Sequence, residues 1–270
     1  MRLDKGILIG RIKRRLLSQN KNCLIAICGE TGSGKSYQAL RLGEDIDPNF
    51  SSENVVTSAE GFLDALEKPF IKAGTAIVWD EAGVGLPSRE WQTIQNKCIN
   101  YVMQTFRHMN IAVIFTTPNL GFIDVQLRNL FHFYLETQSI DYKNGKSTSM
   151  IFNLKQYSRT NEVIPVHPRV RLQSKYTGKG RVVVAKRVVF GLPSTRLVDE
   201  YERMKTDMTK EVRKDARDTL EGGTGNGSRP ARVTKKQLIL QDLEAGLKPA
   251  EIAKKREVSQ GYIRELRQVS

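Results

Sequence analysis

An eight-residue glycine-rich segment, GETGSGKS at residues 29–36, lies between an apolar run at 23–28 and a stretch of helical spacing at 37–42. Its three glycines let the backbone curve around a phosphate with the amides pointing inward, and a following helix directs its positive end towards the same anion. Lys35 is spaced to reach the β- and γ-phosphate oxygens, and the Ser36 hydroxyl to hold Mg²⁺. The segment therefore predicts a nucleotide-binding loop between a buried strand and a helix. The predicted nucleotide contacts are Gly29, Glu30, Thr31, Gly32, Ser33, Gly34, Lys35, Ser36 and Tyr37.

A second apolar run, at residues 75–79, ends in two acids, Asp80 and Glu81. In nucleoside-triphosphate hydrolases the first such acid holds Mg²⁺ through water, and the second orients or deprotonates the attacking water. Solvated strand ends also carry acids, but here the acids follow a complete phosphate loop. The two motifs together predict an ATPase that uses ATP and Mg²⁺, with Lys35, Asp80 and Glu81 as catalytic residues and Ser36 and Asp80 at the metal. A small-molecule kinase is disfavoured, because the acid pair positions water rather than an acceptor.

The formal charge of +14 over 270 residues favours a polyanionic partner beyond the nucleotide, and double-stranded DNA is the first candidate. Solubility or an anionic membrane surface would be the alternative explanation of this charge. Cys23, Cys28 and Cys98 are an odd set without metal-ligand spacing, which suits a reducing cytosol. No apolar stretch is as long as the roughly 18 residues needed to cross a bilayer, and no signal peptide is recognisable. We therefore expect a cytoplasmic protein without an integral membrane segment.

Strands and helices alternate through the first half of the chain. This alternation predicts an α/β fold, namely a P-loop NTPase domain with a mainly parallel sheet flanked by helices and with ligands at the carboxyl ends of the strands. Beyond the two motifs already described, the predicted strands are 54–57, 111–117 and 130–136, and the predicted helices are 59–66 and 89–109.

Three further regions have their own patterns. Residues 3–17 form a basic amphipathic helix, for which packing with a solvated basic face is favoured over contact with DNA or a neighbouring subunit. Short alternating runs between 149 and 190, with turn residues at 144–145 and 178–180, predict a β-hairpin region. Residues 195–218 form a charged helix, and its apolar stripe is interpreted as packing. The stripe consists of Leu197, Tyr201, Met204 and Met208.

Residues 221–230 are rich in glycine and almost free of apolar side chains, which predicts a flexible linker between an ATPase domain at 1–220 and a C-terminal domain at 231–270. Three short helices in the C-terminal domain are typical of a small all-α helix-turn-helix DNA-binding domain. A helical hairpin for subunit contact would give a similar pattern. The candidate DNA contacts are Lys254, Lys255, Arg256, Ser259, Gln260, Tyr262, Arg264 and Arg267.

The order of segments after Asp80 and Glu81 resembles that of one ATPase superfamily. The segments are QTFRHMNI at 104–111, FTTPN at 115–119 and IDVQLRNL at 123–130. They resemble the FtsK–HerA superfamily, and within it the archaeal, viral and Zot-like members, over roughly residues 25–136. The resemblance implies a homo-oligomeric ring, a hexamer in this superfamily, in which an arginine finger enters the neighbouring site. Arg107 and Arg128 match the family's candidate fingers.

The same resemblance implies a polar residue that contacts the water at the γ-phosphate. The family often has glutamine there, whereas this chain has TTPN, so Thr117 or Asn119 takes the position. The implied function is an ATP-hydrolysing motor that translocates or packages double-stranded DNA, in the host cytoplasm if the protein is viral. The alternative is a nucleotide-controlled, site-specific DNA-binding switch without translocation, such as a partition, transposition-helper or regulatory ATPase. A Zot-like assembly factor for filamentous virions would normally have a membrane span.

Overall fold

The computed structural model describes residues 1–81, 109–123, 125–157, 162–173 and 180–221. The chain divides into two compact units, Met1–Lys205 and Thr206–Ser270. Because residues 82–108 are outside these ranges, the predicted helix at 89–109 lies almost wholly outside the described residues. Arg107, Cys98 and all of the predicted helix-turn-helix contacts lie outside them as well.

Within the described residues, strands and helices follow one another as the alternation predicts. The strands are β1 (Arg2–Leu3), β2 (Cys23–Cys28), β3 (Val55–Val56), β4 (Ala76–Trp79), β5 (Ala112–Thr117), β6 (Phe133–Asp141), β7 (Lys146–Tyr157), β8 (Glu162–Val166), β9 (Arg169–Gln173), β10 (Gly180–Val184) and β11 (Arg187–Gly191). The helices are α1 (Lys5–Lys13), continued by a π-helical turn (Arg14–Ser18), α2 (Lys35–Ile46), α3 (Ala59–Glu67), α4 (Val125–Arg128) and α5 (Thr195–Glu221).

Five parallel strands form the part of the sheet that positions the site, in the order β6, β2, β5, β4 and β3. β2 and β5 are buried along their whole lengths, because helices cover both faces and their apolar residues have no solvent side. Their register places Cys28 opposite Thr117, so the glycine loop and the end of β5 leave the same edge of the sheet. The predicted mainly parallel, helix-flanked sheet is confirmed.

An antiparallel extension continues the sheet beyond β6 through β7, which also pairs with β11 and β8, while β9 and β10 form a separate two-stranded sheet. The predicted turn at 144–145 is confirmed, and Gly145 there has a left-handed φ of 57°. The predicted strand 130–136 is displaced: β6 begins at Phe133 and continues to Asp141. It is longer than its apolar run because antiparallel pairing with β7 supports it after β2 has ended.

Two apolar layers cover the two faces of the sheet. One contains buried residues of α1, α2 and the start of α5, and the other contains residues of α3 and α4. Within β2 the side chains alternate between them, with Ile25 and Ile27 in the first layer and Leu24 and Ala26 in the second. No helix of the described residues is long and apolar enough to cross a membrane.

The N-terminal helix packs as predicted, although it begins later than the sequence suggests. Leu8, Ile12 and Leu16 are buried, whereas Leu3 belongs to strand β1, which pairs with β11. The helix starts where the Asp4 carboxylate accepts a hydrogen bond from the amide of Gly6, 2.7 Å away, because an acceptor at this position satisfies a free helix amide. Helix α5 extends to Glu221, the residue at which the linker was predicted to begin.

Candidate nucleotide-binding site

The glycine loop has the backbone geometry that its sequence predicts. Gly32 and Gly34 have φ values of 78° and 80°, which residues with a side chain rarely adopt, and Gly34 is the N-cap of α2. The Lys35 ammonium donates to the carbonyl of Glu30 at 2.7 Å and so closes the loop across its mouth. The amides at the start of α2 therefore face the same space as the Lys35 side chain, which is the arrangement that binds an anion.

Side chains of β6 hold the loop against the sheet. The Thr137 hydroxyl lies 2.7 Å from the Ser33 hydroxyl and 3.1 Å from the carbonyl of Cys28. A Cβ on Gly29 would lie 1.7 Å from that same Thr137 oxygen, so glycine is required there by close approach as well as by its φ of 153°. The loop is therefore fixed by tertiary contacts in addition to its own backbone.

Asp80 is the centre of the polar contacts in the site. It is only 1% exposed and follows β4 directly. One carboxylate oxygen, Oδ1, accepts from the Ser36 hydroxyl at 2.8 Å and from the Thr116 hydroxyl at 2.6 Å. The other, Oδ2, accepts from the Tyr201 hydroxyl at 2.5 Å. Three donors satisfy this buried carboxylate and fix its orientation.

The oxygens of Ser36 and Asp80 fit a magnesium site. Mg²⁺ prefers hard oxygen ligands and is bound in phosphate-transfer sites by one or two protein oxygens together with phosphate and water. A hydroxyl and a carboxylate lie side by side here, at the mouth of an anion-binding loop. Both residues named as metal ligands from the sequence therefore meet in space.

Glu81 is turned back towards the cavity by an unusual backbone conformation. Its φ is 53°, in the left-handed region, and its amide donates to the Thr116 hydroxyl at 2.8 Å. The carboxylate, which is half-exposed, pairs with the Lys205 ammonium at 3.0 Å. Thr116 thus contacts both acids, since it donates to Asp80 and accepts from the amide of Glu81.

Helix α5 supplies two site residues that the sequence analysis missed. Tyr201 and Lys205 are four residues apart and therefore lie on one face of the helix. The ring of Tyr201 is buried as the apolar stripe predicts, but its hydroxyl reaches Asp80, and Lys205 lies 3.2 Å from that hydroxyl. The sequence signal available was a tyrosine in an apolar stripe with a lysine one turn later, which is too common to identify a site.

The electrostatics of the site follow from burial and from the two acids. Burial raises the pKa of the Tyr201 phenol, and the charge of Asp80 raises it further, so the phenol stays a hydrogen-bond donor. Burial lowers the pKa of Lys205, but its hydrogen bonds to Glu81 and Tyr201 and its charge interactions with Tyr201 and Asp80 together raise the pKa above the usual value. For Lys35, burial lowers the pKa, and the charges of Asp80 and Glu81 offset this only in part.

These elements surround one cavity of about 660 Å³ at the carboxyl edge of the sheet. Of the residues predicted from the sequence, those that line it are Thr31, Gly32, Gly34, Lys35, Ser36, Tyr37, Glu81 and Thr117. The remaining lining residues come from the end of β5, within the FTTPN segment, and from two places that the motifs do not include: the β6–β7 hairpin with the end of β11, and helix α5.

The candidate polar residues and arginine fingers have separate positions. Thr117 is buried and lines the cavity, whereas the Asn119 side chain accepts from the amide of Gly121 at 2.7 Å and caps a short turn. The geometry therefore favours Thr117 over Asn119 for the polar position. Arg128 ends α4, before the amino end of β6, and is not among the described residues that line the cavity. It is therefore placed away from the phosphate loop of its own chain.

The buried cysteines are structural. Cys23 and Cys28 are free thiols on β2, and burial raises the pKa of each to about 12. At neutral pH they are protonated and weakly nucleophilic.

Comparison with known proteins gives little beyond this geometry. No family model matches the sequence, and no curated protein does. Among solved structures, the chain is similar to the N-terminal domain of zonular occludens toxin from Neisseria meningitidis, with 16% identity and a TM-score of 0.36, over 66% of this chain and 98% of that domain. A likeness of this size carries no functional argument, so the interpretation of the cavity depends on the chain's own residues.

Proposed function

We propose that this chain binds a magnesium nucleoside triphosphate, ATP, in the cavity and hydrolyses it. One observation carries the proposal: Ser36 at the start of α2 and Asp80 at the end of β4, which are separated by 44 positions, meet at 2.8 Å beside the glycine loop. The convergence of two motifs that were recognised separately in the sequence supports a single ligand at both. The strongly basic composition and the oxygen-rich mouth of the loop support an anionic ligand with a bound cation.

The proposed roles follow from where the side chains lie. The loop amides and Lys35 bind and orient the β- and γ-phosphates, and Ser36 and Asp80 hold Mg²⁺, which when bound neutralises charge on the phosphate oxygens. Glu81 orients the attacking water and accepts its proton at the carboxylate. Tyr201 and Thr116 keep Asp80 in position, because each donates to one of its oxygens. Thr117 faces the cavity, where a hydroxyl can contact the water or the γ-phosphate.

The finer proposal is that hydrolysis drives a DNA motor. A charge of +14, the resemblance to the FtsK–HerA superfamily and the helix-turn-helix pattern at 231–270 support it. In such a motor the chain forms a ring, and Arg107 or Arg128 of one subunit would act in the site of the next. An Arg128 placed away from its own phosphate loop is compatible with this role.

Steady-state ATP hydrolysis, measured on the full chain with Mg²⁺ and with or without long duplex DNA, tests the proposal. We expect hydrolysis that requires Mg²⁺ and increases with duplex length, because a translocating motor works along the duplex. Site-specific DNA binding together with slow hydrolysis, at a rate that does not depend on duplex length, would instead indicate the nucleotide-controlled switch. Absence of Mg²⁺-dependent ATP binding would remove both functions.

Titration of duplex DNA at several salt concentrations, alongside the hydrolysis assay, tests the predicted helix-turn-helix. Replacing Arg264 and Arg267 together with alanine should weaken DNA binding and reduce its salt dependence, because two cationic contacts to DNA are lost. Hydrolysis without DNA should be unchanged. Unchanged DNA affinity in the double variant would contradict the assignment of these arginines.

A further inference from the structure

The β6–β7 hairpin extends past the edge of the sheet and forms a wall beside the glycine loop. β2 ends at Cys28, opposite Glu136, while β6 continues to Asp141 before the chain turns. At about 3.3 Å per residue this overhang is on the order of 15 Å long. The wall stands against the loop itself, because a Cβ on Gly34 would lie 3.2 Å from Cδ1 of Ile140.

Apolar side chains are exposed at the end of this wall. Tyr142 is 83% exposed, and Leu192, which directly follows β11, is 56% exposed. Leu192 packs on the hairpin turn, since a Cβ on Gly145 would lie 2.9 Å from Cδ1 of Leu192. Ile140, Tyr142 and Leu192, which we call the wall patch, line the same cavity as Lys35.

We propose that the wall patch binds the nucleobase of the nucleoside triphosphate. This inference rests on the proposed function, since it is the phosphates on the glycine loop that place the ribose and base in the rest of the cavity. The cavity volume of about 660 Å³ lies within the range of about 300–1,000 Å³ in which cofactor-sized ligands are enclosed. An exposed aromatic ring beside aliphatic side chains is the surface on which a flat base stacks.

The chemistry of the wall patch also determines which nucleobases it can distinguish. The phenol of Tyr142 is the one polar group on its three side chains, so the base is held by stacking and apolar contact. Stacking increases with the area of the base and is tolerant of its hydrogen-bonding pattern. ATP and GTP therefore bind with similar affinity, and both bind more tightly than CTP or UTP.

Calorimetric titration of the full chain with two ligands, Mg²⁺–ATP and Mg²⁺–tripolyphosphate, tests the proposal. Tripolyphosphate carries the phosphates without a base. Tyr142→Ala and Leu192→Ala should each weaken ATP binding about five- to tenfold, the lower end of the effect of losing one base-stacking side chain, and leave tripolyphosphate binding unchanged. Both side chains are exposed, so both variants should keep the melting temperature of the unaltered chain.

Tyr157→Ala is the matched control. Tyr157 is also exposed and lies at the opposite end of β7 from the turn, so its removal should change neither titration. Unchanged ATP affinity in both wall-patch variants, or equal weakening of ATP and tripolyphosphate, would overturn the inference and leave the phosphate site in place. Failure of the unaltered chain to bind either ligand would overturn the proposed function and the wall patch together.

Discussion

The cavity has two sides that the chain builds in different ways. The loop side, Gly29–Ser36 with the start of α2, is made of consecutive residues whose backbone amides are proposed to bind the phosphates. The helix side, Tyr201 and Lys205 on α5, reaches the acids through side chains that lie 121 and 124 positions further along the chain. A site made by a backbone leaves a sequence motif, because the glycines are required in order. A site made by side chains on a distant helix leaves none.

This difference predicts unequal effects of mutation. The loop side should be essential to turnover, whereas the helix side should adjust the acids that perform it. Four variants test this ranking, and a reversal at any step would mean that the two sides do not have separate roles.

Lys35→Ala should have the largest effect. The variant removes the cation proposed to contact the β- and γ-phosphates, and loss of one such charge-stabilising group reduces turnover by about 100-fold or more. Steady-state hydrolysis measures the effect. Lys72→Ala, which removes an exposed lysine before β4, is the control and should have the turnover of the unaltered chain.

Glu81→Gln should come next. It keeps the shape of the side chain and removes the proposed proton acceptor, so turnover should fall by about 100-fold while ATP affinity is retained. The measurement is the amount of ATP that remains bound and unhydrolysed after rapid removal of free nucleotide, with Glu67→Gln on α3 as the control. Rapid hydrolysis by Glu81→Gln would exclude Glu81 as the catalytic acid–base group.

Tyr201→Phe should have a moderate effect on both activity and stability. The ring and its packing remain, but Oδ2 of Asp80 loses its closest donor inside the core. The loss of one hydrogen bond to a buried carboxylate destabilises a protein by about 1–3 kcal/mol, so the variant should unfold at a lower urea concentration. The Mg²⁺ concentration that gives half-maximal turnover should rise about tenfold, because Asp80 is held less firmly. Tyr134→Phe, on a partly buried tyrosine of β6, controls for loss of a hydroxyl as such. A change in stability without any change in Mg²⁺ dependence would make Tyr201 a packing residue only.

Lys205→Met should have the smallest effect. The ion pair with Glu81 is half-exposed on both sides, and such pairs contribute about 1 kcal/mol or less. Turnover should fall two- to fivefold, roughly what that energy allows, because Glu81 loses the contact that orients it. Lys205→Arg should restore most of it. A loss as large as that of Lys35→Ala would show that the helix side is as essential as the loop side.

The sequence predicted the parallel half of the fold well, because that half depends on local signals. Continuous apolar runs locate β2, β4 and β5, and the glycines and the acid pair locate the ends of β2 and β4. The pattern of Leu8, Ile12 and Leu16 likewise predicted a packed helix at the N-terminus.

What the sequence did not show depends on partners distant along the chain. β6 is extended by its pairing with β7, and β1 is a strand only because β11 lies beside it. Helical periodicity indicated that Tyr201 is buried, but not that its hydroxyl would meet Asp80. Thr116, which ties the two acids together, appeared in the sequence only as a hydroxyl at the end of an apolar strand.

At Glu81, the residue that best suits the left-handed backbone differs from the residue that the proposed hydrolysis needs. A residue with a side chain costs free energy in this conformation, and glycine would adopt it without strain. Glu81→Gly should therefore fold at least as well as the unaltered chain while losing hydrolysis. The proposed role in hydrolysis gives a reason for a glutamate at a position where stability alone would favour glycine.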